Sequence, residues 1–195
     1  MKRLRISLLA LVVLCALGAG TAHATMTTGD FRTESDLPGH GSGPLVYENL
    51  GATIGPGAEL DSSHYVENPS GWGGGVVHMD LNPTTNILTL DSQDTMDFFT
   101  FDAWITNVTF DASETITGIT MLSNNLTNIG VVPTLAYTDD SIHINYDGGY
   151  FFFTGDTATF QIATSSVPTV PAPSALLLSS LGAGLVGWIK RRRRA

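Results

Sequence analysis

From residue 45 to residue 163 the apolar side chains come in short runs, each cut off by Gly, Pro, Asn, Asp or Ser. Nowhere in that stretch do they recur at the three- and four-residue spacing of an amphipathic helix, so the backbone must satisfy itself by strand pairing. The candidate strands are Leu45 to Leu50, Glu59 to Tyr65, Gly75 to Leu81, Asn86 to Leu90, Phe98 to Phe110, Thr115 to Leu122, Leu135 to Tyr137, Ser141 to Tyr146, Gly149 to Thr154 and Thr157 to Ala163. About ten short strands with frequent turns predict an all-β domain, an antiparallel β-sandwich of jelly-roll-like kind. Asp147-Gly148-Gly149 reads as a tight hairpin turn. Within the long run Phe98–Phe110 the alternation changes phase, which predicts a bulge or bend near Ala103.

Charge is distributed unevenly. Of nine basic residues, Lys2, Arg3 and Arg5 lie at one end and Lys190 to Arg194 at the other, leaving Arg32 alone in the body against all 18 acids. A body so acidic repels phosphate backbones, which excludes nucleic acid as a partner. Residues 25–44 are rich in Thr, Gly, Asp and Pro with little periodicity, and read as a flexible N-terminal arm preceding a β-sandwich domain at 45–163. Cys15, the single cysteine, lies in the apolar run of the first segment with Leu14 before it, where a lipoprotein signal requires a small residue. The body therefore has no disulfide staple, and burial and backbone pairing hold it.

The two ends carry addresses. Basic Lys2, Arg3 and Arg5, an apolar run from Ile6 to Ala19 and small Ala22 and Ala24 form a secretory signal peptide, 1–24, cleaved after Ala24 by signal peptidase. At the other end a linker, 164–173, leads to an uncharged apolar segment, 174–189, and a basic cytoplasmic tail, 190–195, containing Lys190, Arg191, Arg192, Arg193 and Arg194. Moving a Lys or Arg to mid-bilayer costs roughly 2.5–3.5 kcal/mol, so five such residues stop transfer and keep this end in the cytoplasm. As a helix the 174–189 segment rises roughly 24 Å, slightly less than a hydrocarbon core of about 30 Å. Trp188 and the basic side chains reach outward to complete the transmembrane span.

A signal peptide followed at the far end by Val170-Pro171-Ala172-Pro173, an apolar helix and Lys-Arg-Arg-Arg-Arg resembles the PEP-CTERM proteins of Gram-negative bacteria. That family's marker is typically Val-Pro-Glu-Pro, and here Ala172 stands where Glu is usual. The resemblance implies sorting by exosortase, a membrane-embedded cysteine protease-like enzyme. It also implies a transient inner-membrane anchor and delivery to the cell surface or extracellular matrix. The body is similar to a β-rich module common in that family, through Gly55-Pro56-Gly57, the segments Ile116–Thr120 and Asp156–Ile162, and a last hairpin leading into the tail. The function expected is that of an exported, non-enzymatic component associated with biofilm or exopolysaccharide. The alternatives are a carbohydrate- or calcium-binding module, a carbohydrate-active enzyme on a β-sandwich, and a permanently anchored periplasmic binding protein.

Chemical signatures in the body are sparse. Gly39-His40-Gly41-Ser42-Gly43 has its serine out of register for a nucleophile elbow, and no helix follows it. His40, His64, His78 and His143 lack any ligand spacing, and His143, between Ile142 and Ile144, reads as a solvent-facing strand residue. Carboxylate pairs for glycoside chemistry meet in space, so spacing does not test them. No cofactor is expected, with calcium the one metal that the composition admits. Asp91, Asp94 and Asp97 crowd one inter-strand segment as candidate oxygen ligands, against the plainer reading of a solvated turn. Trp72, in Asn68-Pro69-Ser70-Gly71-Trp72-Gly73-Gly74-Gly75, is a candidate for stacking on a sugar ring, against the plainer reading of an indole tucked over the core. Asn107-Val108-Thr109 and Asn125-Leu126-Thr127 fit the glycosylation sequon.

Overall fold

The computed structural model describes residues 25–36, 43–67, 75–111, 113–127 and 131–165. The signal peptide with Ala22 and Ala24, the Trp72 loop, the Val170–Pro173 marker, the 174–189 segment and Lys190–Arg194 lie outside the described residues. Among the described residues no helix is long and apolar enough to cross a membrane.

The domain is all-β. Its strands are β1 (Met26–Asp36), β2 (Leu45–Thr53), β3 (Tyr65–Glu67), β4 (Val77–Asn82), β5 (Ile87–Ser92), β6 (Met96–Phe110), β7 (Ile116–Asn124), β8 (Thr134–Tyr137), β9 (Ile142–Phe152) and β10 (Thr157–Thr164). They form a six-stranded sheet in the order β3-β2-β1-β6-β9-β8 and a four-stranded sheet in the order β4-β5-β10-β7. All recorded pairings are antiparallel. Alternate residues of both sheets fill one shared apolar core, as a sandwich requires. An aromatic cluster lies at its centre, where Phe152 meets Phe98, Phe101 and Tyr146 at centroid separations of 4.8, 5.2 and 5.5 Å. Tyr146 satisfies its hydroxyl by donating to Asn124 Oδ1 at 3.1 Å, and burial pushes its phenol well above the ordinary range.

The N-terminal segment corrects the sequence reading. Residues 26–36, expected within a flexible arm, form an 11-residue strand paired on both sides, with β2 and with β6. Met26 and Phe31 are completely buried. Its inward residues include Thr33 and Ser35, so the apolar alternation on which a strand is recognised is diluted by hydroxyls. The sandwich therefore begins at β1, not at residue 45.

Three local expectations also change. Asp147-Gly148-Gly149 does not turn the chain; it lies inside β9 as a bulge, with Gly148 and Gly149 at φ 123° and 79° opposite the single residue Phe99 of β6. The left-handed backbone that the glycines supply serves a bulge as well as a hairpin. The phase change in β6 falls at Phe99 and again at Asn107, whose φ is 53°, leaving Phe101, Ala103 and Ile105 inward and Trp104 outward. Glu59–Tyr65 is not a strand: Leu60 makes one bridge to Met79, and Ser62–His64 forms a single 3-10 turn. Asp61 caps that turn, accepting from the Ser63 amide at 2.8 Å, and the Ser63 hydrogen bonds hold its carboxyl below the usual range.

Glu59 anchors the Gly55-Pro56-Gly57 segment. Glu59 is 4 % exposed, and its carboxylate accepts from Gly55 N at 3.0 Å and from Leu81 N on β4 at 2.7 Å. Burial raises its pKa even though the backbone donors oppose the shift.

Candidate functional site

The outward residues of the six-stranded sheet fall in rows set by strand register. One row runs Glu48, Arg32, Trp104, His143 and Ala136 across β2, β1, β6, β9 and β8. The next runs Val46, Glu34, Asp102, Asn145 and Thr134 across the same strands. Directly opposed side chains on one sheet face are in contact range, so the rows act as units.

Trp104 and His143 stand as a stacked pair, with centroids 4.8 Å apart and ring planes 6° from parallel. That separation matches the spacing between neighbouring strands, so the register itself holds the rings face to face. Asp102 fixes the imidazole: His143 Nε2 lies 2.7 Å from Asp102 Oδ1, and Asn145 Nδ2 donates to the same oxygen at 2.7 Å. With the proton on Nε2 the imidazole donates this bond. Arg32, the only basic residue between the two ends of the chain, is held by acids. Its Nη1 donates to Glu48 at 2.8 Å and its Nε to Glu34 at 3.1 Å. The Glu34 hydrogen bond, ahead of the opposing desolvation, raises the guanidinium pKa and keeps it charged.

This arrangement supplies stacking surface and fixed hydrogen-bond partners. Among the described residues the hydrogen-bond partner of the His143 ring is the Asp102 carboxylate. Sequence reasoning placed His143 correctly on the solvent face. It missed Asp102, Asn145, Trp104 and Arg32 as its neighbours, since pairing of β9 with β6 and of β6 with β1 joins residues far apart in the chain.

Two open pockets lie elsewhere. One, of about 580 Å³, is lined by Thr25 and the 83–86 and 161–164 segments, all uncharged. The other, of about 530 Å³, includes Glu114, Asp139 and Asp140. Asp139 and Asp140 sit on the turn entering β9, where their carbonyls accept from Ile116 N and Val108 N and bind that turn to β7 and β6.

The metal candidates are dispersed among different elements. Asp91 belongs to β5 and takes a hydrogen bond from Gln93 at 2.9 Å, Asp94 lies in the connection and accepts from Val76 N at 3.3 Å, and Asp97 is an exposed residue of β6. The crowded loop read from the sequence is only three residues long, because ladder bonds to β4 and β10 extend β5 to Ser92. Among the described residues no group of three or more His, Cys, Asp or Glu side chains is placed to hold a metal ion. The sequon residue Asn107 donates through its side chain to Asp30 Oδ2 at 2.6 Å.

Compared with known proteins, the chain matches no family model, no curated protein and no solved structure.

Proposed function

We propose that this chain is an exported, non-enzymatic β-sandwich protein, of jelly-roll-like kind, sorted at Val170–Pro173 by exosortase to the surface or extracellular matrix of a Gram-negative cell. The observation that carries the reading is the tail: a Val-Pro-Ala-Pro marker, an uncharged apolar segment from Ser174 to Ile189 and five basic residues, in that order. Signal peptidase and exosortase are its processing partners and the membrane is a temporary one. The repeated crossing of the chain between sheets after β5, with β10 inserted between β5 and β7, supports the jelly-roll-like assignment. The test is expression of the full chain in hosts with and without exosortase, followed by intact mass and fractionation. Loss of the 174–195 segment and release of the body only when exosortase is present is the expected result. A tail retained in the inner membrane in both hosts overturns the reading and favours a permanently anchored binding protein.

A second reading, carbohydrate binding, draws on the stacked Trp104–His143 pair beside Asp102 and Asn145. Indole edges and faces contact sugar C–H groups, while carboxylate and amide take hydroxyls. Matrix polysaccharide is the ligand class this implies. Trp104→Ala is expected to weaken retention on immobilised exopolysaccharide, and unchanged retention removes this face from consideration.

A further inference from the structure

The region from residue 25 to residue 173 contains no lysine, since the two lysines of the chain are Lys2 and Lys190. Once the signal peptide and the tail are gone, the only primary amine left is the one that signal removal creates. The fold places a carboxylate against that position. Thr25 N donates to Asp111 Oδ1 at 2.8 Å, and Asp111 N donates back to Thr25 O at 3.1 Å. This closed pair of bonds joins the residue before β1 to the residue after β6. The next residue, Met26, is completely buried and pairs with Phe110.

We propose that cleavage of the Ala24–Thr25 bond converts the Thr25 amide donor into an α-ammonium that forms an ion pair with Asp111 and seals the start of the central strand β1. The chemistry is hydrolysis: water adds across the amide, Ala24 leaves as a carboxylate, and the Thr25 nitrogen takes up protons to become –NH₃⁺. A charge-assisted bond replaces a neutral-donor one at the same site. Among the described residues, the 580 Å³ pocket that Thr25 also lines contributes only uncharged side chains from the 83–86 and 161–164 segments.

The proposal rests on the reading that the signal is cut after Ala24, and one experiment separates the two. The full chain, exported and processed in its host, is purified and treated at pH 7 with an amine-reactive ester. The labelled N-terminal peptide is then followed by mass spectrometry. A peptide that does not begin at Thr25 overturns the cleavage reading, and the proposal with it. If it begins at Thr25, pairing to Asp111 holds the amine protonated above its ordinary pKa of about 7.7–8.0 and slows acylation. Asp111→Asn is then expected to label about two- to fivefold faster, the range of an exposed ion pair. Insertion of one alanine between Ala24 and Thr25, which moves the amine away without touching Asp111, is expected to react at the Asp111→Asn rate. Equal rates in all three proteins overturn the ion pair.

Discussion

Glu59→Ala removes a buried carboxylate that ties the Gly55-Pro56-Gly57 segment to β4, and leaves Gly55 N and Leu81 N without their acceptors. A buried donor left unpaired costs about 1–3 kcal/mol, in full for Leu81 N and in part for the half-buried Gly55 N, so the two cost about 2–5 kcal/mol. Part of that is returned, because the variant no longer buries a charge, and the raised pKa of Glu59 reports that penalty. The expected net loss is about 2–4 kcal/mol. For a domain of this size each kcal/mol moves Tm by about 3–4 °C, so the melt followed by circular dichroism is expected to fall by roughly 6–16 °C. The pH dependence carries its own sign. A folded pKa above the unfolded value means that the native state binds the proton more tightly. Glu59 therefore adds most stability below its unfolded pKa and loses that part as pH rises through the folded one. Acidification from neutrality is thus expected to widen the gap between the parent chain and Glu59→Ala in urea titrations. A gap that narrows on acidification, or a Tm within about 3 °C of the parent, refutes the role assigned to Glu59.

Four further outcomes are expected. Phe152→Ala, which empties the centre of the aromatic cluster, is expected to destabilise by about 3–5 kcal/mol in chemical denaturation. Gly149→Ala, at φ 79° in the β9 bulge with no close neighbour for the new methyl, is expected to cost about 1–2 kcal/mol from backbone strain alone, read from the same titrations. A chain lacking residues 25–36 is expected to fail to fold, with no cooperative melt, because β2 and β6 lose the strand between them. Calcium at millimolar concentration is expected to raise Tm no more than magnesium at equal concentration, since screening of an acidic surface does not distinguish them; a calcium-specific rise points to a chelating site.

Much of the fold was legible because strand formation leaves a local trace. The alternation His143, Asn145 against Ile142, Ile144, Tyr146 announces a half-buried strand, and β4, β5, β7 and β10 fall close to their expected places. β1 was not legible, since Thr33 and Ser35 occupy inward positions that only their location between two sheets makes buried. The Gly148-Gly149 pair was misread for a related reason. Positive φ is a property of the residue, but whether it bends the chain back or inserts an extra residue depends on the partner strand, and Phe99 of β6 decides that.

The sequence by itself determined the all-β class, the extreme acidity of the body, the basic clusters at its two ends and the absence of lysine between them. These follow from composition and order, which local physics reads directly. Only the tertiary structure decided which side chains meet. Arg32 faces Trp104, Trp104 faces His143, and Thr25 meets Asp111 because β1, β6 and β9 lie side by side in one sheet. Strand pairing joins residues 39 to 86 positions apart, and no local pattern encodes a partner at that distance. The candidate binding face and the N-terminal clamp are therefore products of register: a shift of one residue in β6 would turn Trp104 into the core and leave the outer face without its ring.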